Sequence, residues 1–274
     1  FNIQIFEKGK DIFENASGNN TNRLHLGFHY PRSIKTRKMS SDGYKKFIKQ
    51  YPNLSIKLQE NIYAIADDSK NKTSSNTFKN SMIKSKLKFK EYEVKKTDLK
   101  NVIKTFNTNE RQIDHYKAKN FFLSKLKKNI LLKHNIKKIL KVNKQYKINN
   151  QLFDYVINCT GQQSFEINNL NLTYEHCAIS LYKSKKKNHK SYTIMDGPYY
   201  TLIRWNKNMF VLYSVKNSRL LISKDYKKVE KSYLNFKKKD EKKIKENLVK
   251  GFFKFYPNFK NNFKFVKNLH MIRT

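Results

Sequence analysis

Residues 15 to 37, N-A-S-G-N-N-T-N-R-L-H-L-G-F-H-Y-P-R-S-I-K-T-R, constrain this chain more than any other stretch. They hold two of only seven Gly, one of four Pro and two of seven His. They also hold three of the seven Arg, Arg23, Arg32 and Arg37, in a chain whose other 52 basic residues are Lys. Where Lys is the default cation, an Arg marks a position that needs a planar fork, a stack or a permanent charge. The window follows an alternating apolar opening, Phe1 to Glu7, that closes on an acid and turns through Lys8-Gly9-Lys10.

A strand ending on a carboxylate, followed by a Gly-bearing polar loop, is the second-strand pattern of a dinucleotide-binding unit. There the acid accepts hydrogen bonds from ribose hydroxyls. The G-x-G-x-x-G expected about twenty residues earlier is absent. The chain opens on Phe1 within a strand and stops at Met271-Ile272-Arg273-Thr274, so both ends read as cuts in a longer protein.

The second motif is Phe153-Asp154-Tyr155-Val156-Ile157-Asn158-Cys159-Thr160-Gly161-Gln162-Gln163-Ser164. A continuous apolar run bounded by Asp and Gly reads as a buried parallel strand. Its Thr160-Gly161 turn would bring backbone N–H groups to the crevice beyond the strand's carboxyl end, where open α/β sheets bind nucleotides.

Between and beyond these motifs the patterning predicts helices near 40–51 and 77–87, one from Glu110 to about Lys128, and one over 224–250. It predicts strands at 60–66, 89–94, 102–106 and 130–132. After Glu175 the pattern becomes alternating β, at 178–182, 191–195, 199–205 and 209–215, with a turn at Asp196-Gly197-Pro198. A last strand spans 266–274.

With 38% hydrophobic and 14% aromatic residues, the chain carries enough large apolar side chains to fold. The net charge of +38 is nearly all dispersed Lys alongside abundant Asn, Ile, Phe and Tyr. Those residues share AT-rich codons, and a phosphate-binding patch should be clustered and favour Arg, so the charge argues against a nucleic-acid partner. Two Cys, Cys159 and Cys177, have neither disulfide-framework nor metal-site spacing. They fit a reducing, cytoplasmic setting and no metal site. No apolar run reaches the roughly 18 residues of a membrane span. The sequence leaves the oligomeric state open.

Taken together, F-E-K, A-S-G-x-N, R-L-H-x-G-F-H-Y-P-R-S, V-I-N-C-T-G and T-I-M-D-G-P-Y-Y-T-L-I-R-W resemble the FAD-dependent oxidoreductases of the D-amino acid oxidase and glycine oxidase superfamily. The resemblance implies a Rossmann-like α/β FAD-binding domain lacking its first strand, interleaved with a mostly antiparallel β substrate domain. The FAD-binding domain would comprise residues 1–58 and 109–176, and the substrate domain residues 59–108 and 177–274. It implies Glu7 as ribose ligand, Ser17, Asn22 and Arg23 near the pyrophosphate and ribityl chain, and Gly27, His25, His29 and Tyr30 near the flavin ring. It implies backbone pairing of Ile136 with adenine, and Thr160 and Gly161 beside the phosphates. Arg204 and Tyr213 become candidates to clamp a substrate carboxylate. The implied reaction is hydride transfer from a C–H next to an amine or hydroxyl of a small-molecule substrate to flavin. Two other classes stay open: a flavoprotein-fold binding module without catalysis, and a basic nucleic-acid-binding protein.

Overall fold

The computed structural model describes residues 2–160 and 171–274. Its elements run β1 (Ile5–Phe6), β2 (Arg23–Leu24), α1 (Ile34–Gln50), β3 (Ser55–Lys57), β4 (Asn61–Ala66), α2 (Ser75–Lys84), β5 (Phe89–Tyr92), β6 (Val102–Thr108), β7 (Arg111–Ile113) and α3 (His115–Leu126). They continue with β8 (Ile130–Leu131), β9 (Leu140–Val142), β10 (Gln145–Ile148), β11 (Gln151–Phe153), β12 (Tyr174–Ser184), β13 (Ser191–Met195), β14 (Tyr200–Asn206), β15 (Met209–Ser214) and β16 (Arg219–Ser223). The chain ends with α4 (Tyr226–Leu234), α5 (Lys238–Phe253), α6 (Phe259–Asn262) and β17 (Phe263–Arg273).

A nine-stranded sheet dominates, in the order β16-β12-β15-β14-β13-β4-β6-β5, with β17 along the other side of β12. All its ladders are antiparallel except β4 with β13. It combines strands from before and after the intervening segment 111–153. That segment and the strands of residues 5–57 form small structures: β1 parallel to β8, the β9–β10–β11 meander, and β7 between β2 and β3.

Both faces of the large sheet are covered, which is why β4 is buried at every position. Alternation sends Ile62, Ala64 and Ala66 to a core shared with Ile244, Leu248 and Phe252 of α5. Tyr63 and Ile65 point the other way, into a core with Phe78 and Met82 of α2 and with Phe28. Farther along that second face lie Ile203, Trp205, Val211, Leu269 and Met271.

Three expectations need correction. Residues 154–160 form no strand, and Tyr155 and Ile157 are 82% and 85% exposed. Apolar side chains are buried in a strand only where neighbouring strands pair with it and layers cover it, and no described strand pairs with this segment. The helix expected over 224–250 is two helices. Asn235 closes α4, and the Asp240 carboxylate accepts from the Lys237 N–H to start α5, while Phe236 between them stacks on His270. Glu110 does not open a helix. It precedes β7, and Asp114 caps α3 through the Lys117 N–H.

Gly251 stands in the middle of α5, where Ala would normally gain about 1 kcal/mol. Here a Cβ would lie 1.7 Å from the Tyr200 hydroxyl, which accepts from Asn217. Overpacking outweighs propensity, so Gly251→Ala should lose about 1–3 kcal/mol, read as a lower urea midpoint. A rise in the midpoint would contradict this packing.

Candidate active site

The loop after β2 is held by its backbone and by one buried Arg. Asn22 adopts the left-handed region at φ 51°, and its carbonyl accepts from the Ile113 N–H. Gly27 sits at φ 126°, with its would-be Cβ 3.2 Å from the Arg37 carbonyl oxygen, so only Gly fits without strain. Arg37, buried at the start of α1, donates to the carbonyls of Tyr30 and Pro31 and to Ser85. Ser33 caps that helix by accepting from the Thr36 N–H.

The loop thereby delivers Arg23, His25, His29 and Tyr30 to one buried acid, Glu110, which is 1% exposed. Glu110 Oε2 accepts from the Tyr63 hydroxyl at 2.6 Å and lies 3.9 Å from Arg23. Oε1 accepts from the Leu26 N–H at 2.8 Å and lies 3.7 Å from His25 Nδ1. Arg23 donates to the Tyr63 hydroxyl at 2.7 Å and to Thr193 Oγ1 at 2.6 Å. The rings of His25, His29 and Tyr30 pack mutually at 5.3–5.5 Å.

Burial alone would raise the Glu110 pKa, but His25, Arg23 and the Tyr63 hydroxyl together hold it at about 2. Burial, with the neighbouring His25 and Arg23 charges, pushes His29 down to about 3. Burial raises the Tyr63 and Tyr30 hydroxyls. The cluster therefore keeps one carboxylate charged, one His neutral and two phenols protonated at neutral pH.

Strand register extends the site across the second face of the sheet. Tyr63, Thr193, Thr201 and Tyr213 are successive partners on β4, β13, β14 and β15. Three inter-strand steps place Tyr213 roughly 14 Å from Tyr63. At that far end Arg273 donates to the Tyr213 hydroxyl at 3.3 Å and to Glu175 at 2.8 Å, and Arg219 joins Glu175 at 3.2 Å.

Several expected residues lie elsewhere. Arg23 is bonded internally to Tyr63 and Thr193 rather than facing a phosphate. Arg204 pairs with Phe210 on the opposite sheet face from Tyr213, stacks on that ring, and donates to the carbonyls of Lys207 and His189. Arg204 and Tyr213 therefore cannot clamp one carboxylate. Glu7 accepts from the Gly9 N–H, and Phe6 beside it packs against Phe153. Ser17 is exposed, Ile136 lies outside any strand, and both N–H and hydroxyl of Thr160 donate to Asn158. Gly161 lies outside the described residues. The buried Cys177 thiol, raised to about 11 by burial, is core packing. Glu110, Tyr63, Thr193 and Arg273 were not anticipated. Scarcity marks Arg273 as it marks Arg23, and Glu110 is one of only 21 acids.

Among the described residues no group of three or more His, Cys, Asp or Glu is placed to hold a metal, and no helix is long and apolar enough to cross a membrane.

The fold has known counterparts. Glycine oxidase from Bacillus cereus superposes with a TM-score of 0.71 at 10% identity, covering 98% of this chain and 76% of that one. L-proline dehydrogenase from P. horikoshii gives 0.66 at 16% identity, over 98% and 74%. The chain has the fold of the D-amino acid oxidase and glycine oxidase class. Its sequence is similar to the FAD-dependent monooxygenase FPY4 of Fusarium mangiferae, 31% identical over 198 residues, 72% of this chain and 53% of that protein. The FAD-dependent monooxygenase kojA of Aspergillus flavus is 25% identical over 292 residues, 96% of this chain and 68% of that protein. The chain thus spans about half to two thirds of the length of these relatives. No family profile matches it.

Acid should destabilise the fold through His29. The unfolded ring takes up a proton near 6.5 and the folded ring not until about 3. The unfolded state therefore binds more protons across that window, and stability is complete above it and falls as the pH drops. Roughly 1–2 kcal/mol should be lost between pH 7 and 5, and His29→Asn should flatten the dependence of the urea midpoint on pH. An equally steep dependence in the variant would contradict the burial of a neutral His29.

Proposed function

We propose that the chain is part of a FAD-dependent oxidoreductase that oxidises an amine, amino acid or hydroxy-acid-like small molecule. One observation beyond the fold carries this reading. Among the described residues ten buried side-chain polar atoms lack a hydrogen-bond partner, and four of them fall between residues 22 and 29. They are Asn22 Nδ2, Arg23 Nε, His25 Nδ1 and His29 Nδ1. Buried polar groups are otherwise satisfied; His25 Nδ1 faces Glu110 at 3.7 Å, and the other three are left to meet polar atoms from outside the chain.

These residues fit a flavin. Asn22 supplies a donor, Gly27 allows close backbone approach, and His25, His29 and Tyr30 offer a ring-lined wall. In this reading Glu7, just past β1, would hold a ribose. When bound, the flavin supplies the two-electron acceptor for a substrate hydride. The chain's own residues bind and orient the substrate. Arg273, beside Tyr213 on the second sheet face, presents a fork suited to a carboxylate, while Glu175 holds that fork in place. The segments 1–58 and 109–176 form the cofactor side in this reading, and 59–108 and 177–274 the substrate side. The names of the fungal relatives favour the same cofactor.

Purified full-length protein should be yellow, with a flavin band at about 450 nm. A colourless preparation that gains no such band with added FAD would overturn the proposal. Arg273→Lys should raise KM for a carboxylate-bearing substrate by about 10–100-fold, since a point charge replaces a fork, with kcat changing less. An unchanged KM would remove Arg273 from substrate binding.

A further inference from the structure

Glu110 belongs to none of the motifs above, yet it is the most completely enclosed charge near the loop. Its side chain is 0% exposed, whereas that of His25 is 30% exposed. Each carboxylate oxygen can accept two hydrogen bonds. Oε2 is taken by the Tyr63 hydroxyl and faces Arg23. Oε1 is taken once, by the Leu26 N–H, and its remaining lone pair is nearest to His25 Nδ1 at 3.7 Å. That ring nitrogen has no other partner. A small rotation of the imidazole closes the gap, as hydrogen bonds at sites without ligand are often long.

The carboxylate itself cannot swing away. Arg23 and Tyr63 hold it from one side, and Thr193 holds Arg23. His29, packed 5.3 Å from His25, has its pKa pushed down by burial and stays neutral. The two histidines of the window therefore have different environments. One has a carboxylate behind it and an open side, and the other, half-buried and without a carboxylate at hand, packs its ring against Tyr30 and Tyr63.

We infer that Glu110 is a positioning residue that fixes His25 with its Nδ1–H toward the interior and its Nε2 lone pair toward the open side, which makes His25, and not His29, the acceptor of the substrate's N–H or O–H proton. The inference rests on the oxidoreductase reading above. In the step, the substrate N–H or O–H bond breaks and an N–H bond forms at His25 Nε2, while the two electrons of the substrate C–H leave as hydride to the flavin. The imidazolium charge that results is matched by the Glu110 carboxylate. A carboxylate behind an imidazole sets the tautomer and orientation of the ring in just this way.

The test is the tautomer of His25. Full-length protein carrying its flavin is labelled with 15N-histidine, and long-range proton–nitrogen spectra are recorded at about pH 8, where a typical His is neutral. The His25 signals are assigned with His25→Gln. The expected spectrum has a protonated Nδ1 and a bare Nε2. In Glu110→Gln that preference should fall to a mixture with at least half Nε2–H. A wild-type His25 in the Nε2–H form would overturn the inference, as would an unchanged tautomer in a folded Glu110→Gln. If Glu110→Gln does not fold, Tyr63→Phe serves. It frees Oε2 but leaves Oε1, so His25 should keep its Nδ1–H form, and a switch to Nε2–H would count against Oε1 as its partner. A protein without flavin absorbance would defeat the oxidoreductase reading, while the wild-type tautomer would still decide the role of Glu110.

Discussion

The buried charge of Glu110 is the interaction on which the site depends. Enclosing a carboxylate without partners costs several kcal/mol, and this chain meets that cost with a Tyr hydroxyl from β4 and with an Arg, a His and a backbone N–H from residues 23–26. The loop after β2, the strand β4 and the approach to β7 are thereby tied to one point. Removing the carboxylate would leave Arg23 and Tyr63 in an apolar enclosure, so the loop geometry and the ion cluster stand or fall together.

The large sheet supplies the rest of the platform. Its β4–β13 parallel ladder, unusual among antiparallel neighbours, brings Tyr63 beside Thr193. From there the register carries the same face to Tyr213 and Arg273. An Arg thus anchors each end of one row of side chains, while the opposite face is filled by α5 and its aromatic residues. Strand alternation sets the division: one face packs on α5, while the other carries the polar row from Tyr63 to Tyr213 between apolar clusters of its own.

Much of this was legible in the sequence. Positions 15–37 announced themselves by scarce residue types, and Asn22, Arg23, His25, Gly27, His29 and Tyr30 are gathered in the structure. The alternating strands after Glu175 and the Asp196 turn were readable from period-two patterning. The role of Arg204 was not, because one residue of register decides which sheet face a side chain meets. Arg273 was overlooked although it carries the same signal of rarity as Arg23. Glu110 was invisible because its importance comes from partners 47 to 87 residues away, such as Tyr63, and no local pattern encodes them. The segment 154–157 misled because an apolar run predicts burial only where other strands are present to receive it.

The proposed flavin site stands on the stretch from Asn22 to Tyr30 as the wall against which the cofactor rests. Hydrogen–deuterium exchange of the full-length protein, with and without FAD, measures that directly. The account predicts slower exchange over residues 22–30 on adding FAD. Protection confined to other segments, with 22–30 unchanged, would contradict it.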